Sequence, residues 1–316
     1  MSARSVIAIT LVSASVLLSA CGGDATDDTA PRESQVTPKL TVSAVDAAAE
    51  RVFRGVCDGS AAVMLDDATL LVAYDELNAL FAFPLSGGQY TARLDLEELL
   101  DLPSSAEIDI EAAARAGDLI WWLGSHGPDS DARDAPNRRL LFATTVPSPD
   151  LQDLEIMVQQ QDLTDVLLDS PPVRAVLNKA VRKRAPKAGG VNIEGLAATP
   201  EGGLLLGFRS PLSAAKGLKG KAMLVSLLPD AERFRVQSVS RLDLGNRGVR
   251  DMARHADGYV LIAGSVKSGG EFTLYAWDGF SKRAEALQPI AGLHAEALVD
   301  VDGHWLLLSD DGKQSR

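Results

Sequence analysis

The chain is short of the residues that most directly announce chemistry. Its 316 residues include two cysteines, Cys21 and Cys57, and four histidines, too few for a cysteine-rich metal cluster. Positive charge is also in deficit: 31 Lys and Arg stand against 43 Asp and Glu, a formal net charge of -12. That balance excludes nucleic acid as a partner, because neutralising phosphates takes clustered Lys and Arg. There is no G-x-S-x-G elbow, H-E-x-x-H zinc site or Walker loop. His294-Ala295-Glu296 supplies the first half of a zinc-deaminase motif, but the Pro-Cys-x-x-Cys half is missing. No motif therefore states a reaction. What is present is apolar: hydrophobic residues make up 46% of the chain and charged residues 23%, enough for a sizeable core and too hydrophobic for wholesale disorder.

One apolar run stands apart. Val6 to Leu18 follows Arg4 and is too short to span a bilayer, which reads as an export signal. The residues that follow, Leu18-Ser19-Ala20-Cys21-Gly22, resemble a bacterial lipoprotein signal. That resemblance implies cleavage before Cys21, acyl chains on its sulfur and amine, and stable anchoring in the cell envelope. Gly22, rather than Asp, points to the outer membrane, with the protein facing the periplasm. Gly22 to Pro38 has almost no apolar side chains and reads as a flexible tether. The expected organisation is a signal over residues 1–20, a tether over 21–38 and one folded domain over 39–316. With Cys21 lipidated, Cys57 has no partner for an intramolecular disulfide and reads as a buried structural thiol.

Within that domain five stretches look alike, beginning at Val56, Ile108, Val191, Arg247 and Leu293. Each has an acidic residue, a small apolar run, a turn of Asp, Gly or Pro, and a second apolar run, the signature of a hairpin. The acidic positions Asp58, Glu111, Glu194, Asp251 and Glu296 are spaced by 53, 83, 57 and 45 residues. Such a period, with further strand candidates at 80–85, 140–146, 222–227, 235–242 and 272–277, predicts an all-β fold, a β-propeller of five blades, with six as the alternative. Residues 41–45 or 52–56 would complete the last blade and leave no free edge. The long spacing holds an insertion. Apolar residues at helical intervals over 161–184, broken by Ser170-Pro171-Pro172, predict two helices. Lys179, Arg182, Lys183, Arg184 and Lys187 follow, read either as an anion-collecting lid or as complement to the helix dipole and ordinary surface.

"FRGVCDGSAAVMLDD", "NIEGLAATPEGGLLLGFRSP" and "RLDLGNRGVRDMARHADGYVLIAG" resemble the bacterial family called domain of unknown function 3616, over most of residues 54–312. That resemblance implies a propeller-like architecture and supplies no catalytic residues. Asn192-Ile193-Glu194-Gly195-Leu196 is also similar to the N-x-E-G element of propellers grouped with phytase-like esterases and lactonases.

In a propeller, equivalent starts of the innermost strands border one mouth of the channel. Asp58, Glu111, Glu194, Asp251 and Glu296 would therefore form an acidic ring. Carboxylates so close must bind protons, pair with cations or hold a metal, for which Ca²⁺ is the natural candidate. The alternative is that they accept hydrogen bonds from backbone amides and from Arg250 or Arg209, fastening blade to blade. The second hairpin strands end in varied groups, among them Asp75, His126, Arg209 and Asp310, and that variety suggests a site. His126 is a candidate base or ligand, Arg209 a carboxylate or phosphate grip, and Arg138 an anion clamp or turn cap. Two functions follow: a module binding a small molecule or an envelope protein, or a Ca²⁺-dependent hydrolase of an ester or phosphoester with His126 or Arg209 assisting.

Overall fold

Apolar runs separated by turns such as Asp-Gly and Pro200-Glu201-Gly202-Gly203 leave each strand little choice but to pair with its neighbour in sequence, and the sheets are built that way. The computed structural model describes residues 11–16, 40–42 and 51–309, except 57–58, 75–76, 104–105, 130, 186–188, 232, 257 and 268. The chain begins with β1 (Leu11–Val16), β2 (Leu40–Val42) and the short β3 (Phe53–Arg54). There follow β4 (Gly59–Met64), β5 (Thr69–Tyr74), β6 (Ala79–Pro84), β7 (Gly88–Gln89) and β8 (Ala92–Asp95). β4, β5, β6 and β8 make one antiparallel sheet, while β7 pairs with β3 in parallel. The second sheet runs β9 (Ile110–Ala116), β10 (Leu119–Gly124), β11 (Leu141–Thr145) and β12 (Ile156–Gln160). The third holds β13 (Asn192–Ala198), β14 (Leu204–Ser210), β15 (Ala222–Asp230) and β16 (Arg233–Leu242). The fourth holds β17 (Gly248–His255), β18 (Gly258–Gly264), β19 (Phe272–Trp277) and β20 (Glu285–Ile290). The last hairpin, β21 (Ala295–Val301) and β22 (His304–Ser309), is extended outward by β1 and then β2.

The fold is all-β, and the four sheets drawn each from one stretch of chain stand as blades of a propeller arrangement. Their innermost strands β4, β9, β13 and β17 neighbour one another in order, and β21 lies between β17 and β4. Apolar side chains pack between adjacent sheets rather than in one central core. Leu71 and Leu80 meet Trp122 and Phe142, Leu123 meets Phe208 and Met223, and Leu205 and Leu224 meet Leu261 and Tyr275. Ile262 and Leu274 pack on Trp305 and Leu307, and Leu306 and Leu308 return to Leu70 and Phe81. Each such side chain contributes roughly 1.5–3 kcal/mol by leaving water. Between the third and fourth sheets the approach leaves no room for a side chain at two facing positions. A Cβ on Gly207 would stand 2.6 Å from Val249 Cγ1, and one on the facing Gly195 2.8 Å from the same atom.

The insertion folds as α1 (Leu163–Asp169) and α2 (Pro171–Leu177), with Ser170 capping α1 and Pro171 starting α2 where it needs no amide hydrogen. Leu163, Val166, Leu167, Val173 and Leu177 cover Met223, Val225 and Phe234. Arg241 Nη2 donates to Pro172 O at 3.0 Å, so the helices are pinned to the outer flank of the third sheet. Of the two segments expected to close the last sheet, β2 overlaps one and lies outermost, while β3 falls in the other and pairs elsewhere. The place between β22 and β2 is taken by β1, which comes from the apolar run read as an export signal. Among the described residues no helix is long and apolar enough to cross a membrane.

Candidate functional site

The innermost strands share an irregularity that selects what faces the channel mouth. On each of them one residue near the start is skipped in the pairing with the next strand. These residues are Ser60 on β4, Glu111 on β9, Glu194 on β13, Arg250 on β17 and Glu296 on β21. A bulge of this kind bends the strand and re-aims the extra side chain. Five bulges at corresponding places therefore bring five polar side chains to one end of the channel.

The bulged groups compensate one another. Arg250, on the strand between Glu194 and Glu296, reaches both: its Nε stands 3.0 Å from Glu194 Oε2, and its Nη2 pairs with Glu296 Oε2. The Nε and Oε2 atoms are an ion pair at that distance without hydrogen-bond alignment. The guanidinium also lies over the Phe272 ring, 5.7 Å from its centroid. Glu194 is 1% exposed, and its Oε1 accepts from Arg209 Nη1 at 2.7 Å and from Asn192 Nδ2 at 2.9 Å. Arg209 is fixed in turn by donating from Nε to Val266 O at 3.2 Å. On the other flank Asn192 Nδ2 lies 3.5 Å from Glu111 Oε1, so one amide links two bulged carboxylates. Burial pushes the Glu296 carboxyl up to about 7, against the pull of Arg250, and Glu194 pushes it the same way. Burial alone would make Arg250 easier to deprotonate, yet Glu194 and Glu296 hold it above the usual arginine range.

Asp251 falls one residue past the bulge, and one residue on a strand reverses the face. Its side chain is buried between strands, where Oδ2 accepts the amide hydrogen of Leu298 at 2.6 Å and so satisfies the inner edge of β21. Burial raises its pKa well above the usual carboxylate range, with hydrogen bonds from Leu298 and Met252 opposing. The structure thus brings Glu111, Glu194 and Glu296 together and sets Asp251 behind them. Ser60 and Arg250 complete the set. Arg250 was expected from the sequence as a partner of the acidic ring and is found as one, whereas Ser60 does not stand out, because its small and apolar neighbours give no sign of where pairing slips. Among the described residues no group of three or more His, Cys, Asp or Glu is arranged to hold a metal ion. Asp58, Asp75, Asp310, Cys21 and Cys57 lie outside the described residues.

Beside Glu111 the mouth widens into a cleft of about 230 Å³ between the second and third sheets. Its wall is the tight loop 124–127. Ser125 N donates to Asp109 O at 2.9 Å and His126 N to Arg138 O at 2.8 Å within the second sheet's connections, and Ile193 N donates to Ser125 O at 3.0 Å, which joins the loop to the third sheet. A Cβ on Gly127 would meet Val191 O at 2.6 Å, which fits glycine at that crossing. His126 turns through a left-handed φ of 59° and is 3% exposed. Its Nδ1 stands 2.8 Å from Gly124 O, and its Nε2 has no hydrogen-bond partner among the described residues. Burial pushes the imidazole down to about 4, with the Gly124 carbonyl opposing, so it is neutral at pH 7. It serves as a post behind the wall and does not line the cleft. Arg138 does, with Nη1 on Asp109 Oδ2 at 2.9 Å and Nη2 on Glu107 Oε2 at 2.7 Å. Burial raises the Asp109 carboxyl, and Arg138 and Ser125 draw it back. Arg184, from the basic stretch after α2, reaches the rim of the same cleft.

The opposite end of the channel is plain. It is lined by Ala62, Ala113, Ala198, Met252, Ala253 and Leu298, with Arg115, Arg254 and Asp300 at its border. His255 Nδ1 meets Asp300 Oδ2 there at 2.9 Å, tying two hairpin ends.

The family model described as protein of unknown function (DUF3616) matches residues 58–140 and 146–302. No curated protein matches the chain. Among solved structures, similarity extends to hydrazine synthase of Kuenenia stuttgartiensis, at 11% identity and a TM-score of 0.37, over 79% of this chain and 53% of that one. The chain thus spans about half the length of that structure. Glutaminyl cyclase of Myxococcus xanthus matches at 9% identity and a TM-score of 0.44, over 81% of this chain and 92% of that one. A gluconolactonase of Xanthomonas campestris matches at 12% identity and a TM-score of 0.40, over 82% and 72%. These are likenesses at the level of the fold.

Proposed function

Because the chain belongs to the DUF3616 family of proteins of unknown function, its function must be read from its site, and we propose that it is a binding module: a propeller closed by a fifth blade that presents a polar mouth to a small polar ligand. The closure rests on β21 lying against both β17 and β4 and on the apolar packing of β22 against the first sheet. The signal-like start carries the rest of the proposal, that cleavage before Cys21 removes β1 from the last sheet and that the lipidated Cys21 holds the domain at the envelope, facing the periplasm from the outer membrane.

The observation that carries the binding reading is that every bulged position of the inner strands holds a polar residue, and that a cleft opens beside them. A packed channel would need only apolar fillers at those places, such as the alanines Ala62, Ala113, Ala198 and Ala253 farther along the same strands. The mouth also supplies its own cations, Arg250 and Arg209, where calcium would otherwise be required to balance Glu194 and Glu296. The imidazole of His126, which a hydrolase reading would use as its base, is buried behind the wall and does not line the cleft.

The test is a thermal-shift screen of full-length protein in detergent against small polar metabolites, with Asn192→Ala and Glu111→Gln as controls. Stabilising ligands whose effect is lost in the controls support the reading. Turnover of esters, lactones or phosphoesters abolished by Glu194→Gln would replace it with an enzyme. Lipidation is read separately, by incorporation of a labelled fatty acid that Cys21→Ser abolishes.

A further inference from the structure

We infer that the basic surface of α2 and the stretch after it, residues 174–184, docks on anionic phospholipid headgroups of the bilayer that anchors Cys21, and so sets how the domain faces that bilayer. The inference rests on the lipidation proposed above and adds a second attachment to it.

Charge is spread unevenly along the chain. Between Asp169 and Glu194 there is no acidic residue, while Arg174, Lys179, Arg182, Lys183, Arg184 and Lys187 supply six cations. Elsewhere 25 of the 31 Lys and Arg stand against all 43 Asp and Glu. An anionic surface therefore repels the body of the domain and attracts this one stretch.

The fold turns those cations outward. Val173, Leu177 and Ala180 are buried against the third sheet, at the spacing of one helical face. Arg174, Lys179, Arg182, Lys183 and Arg184 fall between and after them and are exposed. None of these five has an ion pair among the described residues, whereas Arg93, Arg133, Arg139 and Arg247 elsewhere each meet a carboxylate. The basic surface thus keeps its field. It is also held in place, because Arg241 Nη2 donates to Pro172 O at 3.0 Å and the buried face joins the cluster of Met223 and Phe234. Cations fixed on a packed element bind without the ordering cost that a loose basic tail would meet.

The tether points to the partner. Residues 21–38 reach about 60 Å when extended, and a domain of this size is about 50 Å across, so any face can come round to the bilayer. Charge then selects which face does. Headgroups are held within reach of the tether at high local concentration, an advantage that no freely diffusing anion has. Each Lys or Arg close to an anionic surface strengthens attachment about fivefold.

The experiment mixes full-length protein with vesicles of phosphatidylcholine, alone or with phosphatidylglycerol, and combines flotation with amine acetylation read by mass spectrometry. Lys179 and Lys183 should react at least fivefold more slowly on the vesicles containing phosphatidylglycerol, and Lys282, exposed between β19 and β20, at the same rate on both. High salt should remove the protection. Arg174→Gln combined with Arg182→Gln should speed both lysines at least threefold on the anionic vesicles, with melting like the parent because both side chains are exposed. Equal rates on the two kinds of vesicle, with the protein floating on both, overturn the docking and leave the lipid anchor standing. Protection that neither salt nor the two substitutions reduce overturns it as well. Flotation with the anionic vesicles alone keeps the docking and removes the anchor, and flotation with neither removes both.

Discussion

The two ends of the channel are made by the same strands, yet they differ in everything that matters for function. At the ends where the inner strands start, a bulge on each delivers Ser60, Glu111, Glu194, Arg250 and Glu296 to a common space. At the other end the same strands run in regular pairing and present Ala62, Ala113, Ala198 and Ala253. The difference teaches that burial alone does not decide which residues are polar here. A skipped pairing does, because it frees one side chain per strand from the alternation that packing imposes.

The sharpest way to break the comparison is to remove the cation at one end and a cation at the other. Arg250→Met leaves Glu194 and Glu296 buried without their shared partner, and should cost about 3–5 kcal/mol of stability in urea or thermal unfolding. Arg254→Met, at the exposed border of the opposite end, should stay within about 0.5 kcal/mol. Equal losses would mean that the mouth is no more than surface.

The next largest effect is one of pH. His126 has its pKa lowered in the fold to about 4 from the ordinary imidazole value of 6.5, so the unfolded chain binds the proton more readily in between. Its contribution to stability is complete above about pH 6.5 and is lost as pH falls towards 4, on the order of 2–3 kcal/mol. Glu296 has the opposite sign: its pKa is raised to about 7 from 4.5, so its contribution falls as pH rises across that window. Melting curves of His126→Gln should lose the acid-side decline, and those of Glu296→Gln the decline between about 4.5 and 7. Parallel curves for the parent and both variants would contradict the assigned burial.

Gly207→Ala comes third. Its new methyl would press on Val249 between two sheets and should cost about 1–3 kcal/mol, read as a lower melting temperature. The smallest effect is expected at Asp251. Asp251→Asn keeps an oxygen acceptor for Leu298 N and should change stability at pH 7 by less than about 1 kcal/mol, whereas Asp251→Ala removes that acceptor and should cost about 1–3 kcal/mol.

Much of this architecture was legible in the sequence. The hairpin repeat gave the inner strands, and the broken helical period over 161–184 gave both helices, because turn chemistry and periodicity are local properties. Glu194 and Arg209 were legible as a pair bracketing one hairpin, and they meet at 2.7 Å. The ring itself was legible only in part. Asp251 is the acidic residue of its repeat and aligns with Glu194 by sequence, but the bulge falls on Arg250, one position earlier. Bulge positions depend on pairing across strands, which a linear reading does not contain. The run Leu11–Val16 shows a second limit: a short apolar segment suits both an export signal and a strand, and composition alone does not separate them.

The central claim is that the mouth balances its buried carboxylates with its own arginines. The direct measurement is the metal content of full-length protein purified without chelator, by elemental mass spectrometry, together with melting in the presence and absence of EDTA. The account predicts no stoichiometric calcium and the same melting temperature in both. Near-stoichiometric calcium with a lower melting temperature in EDTA would contradict it, and would make the bulged carboxylates an ion site.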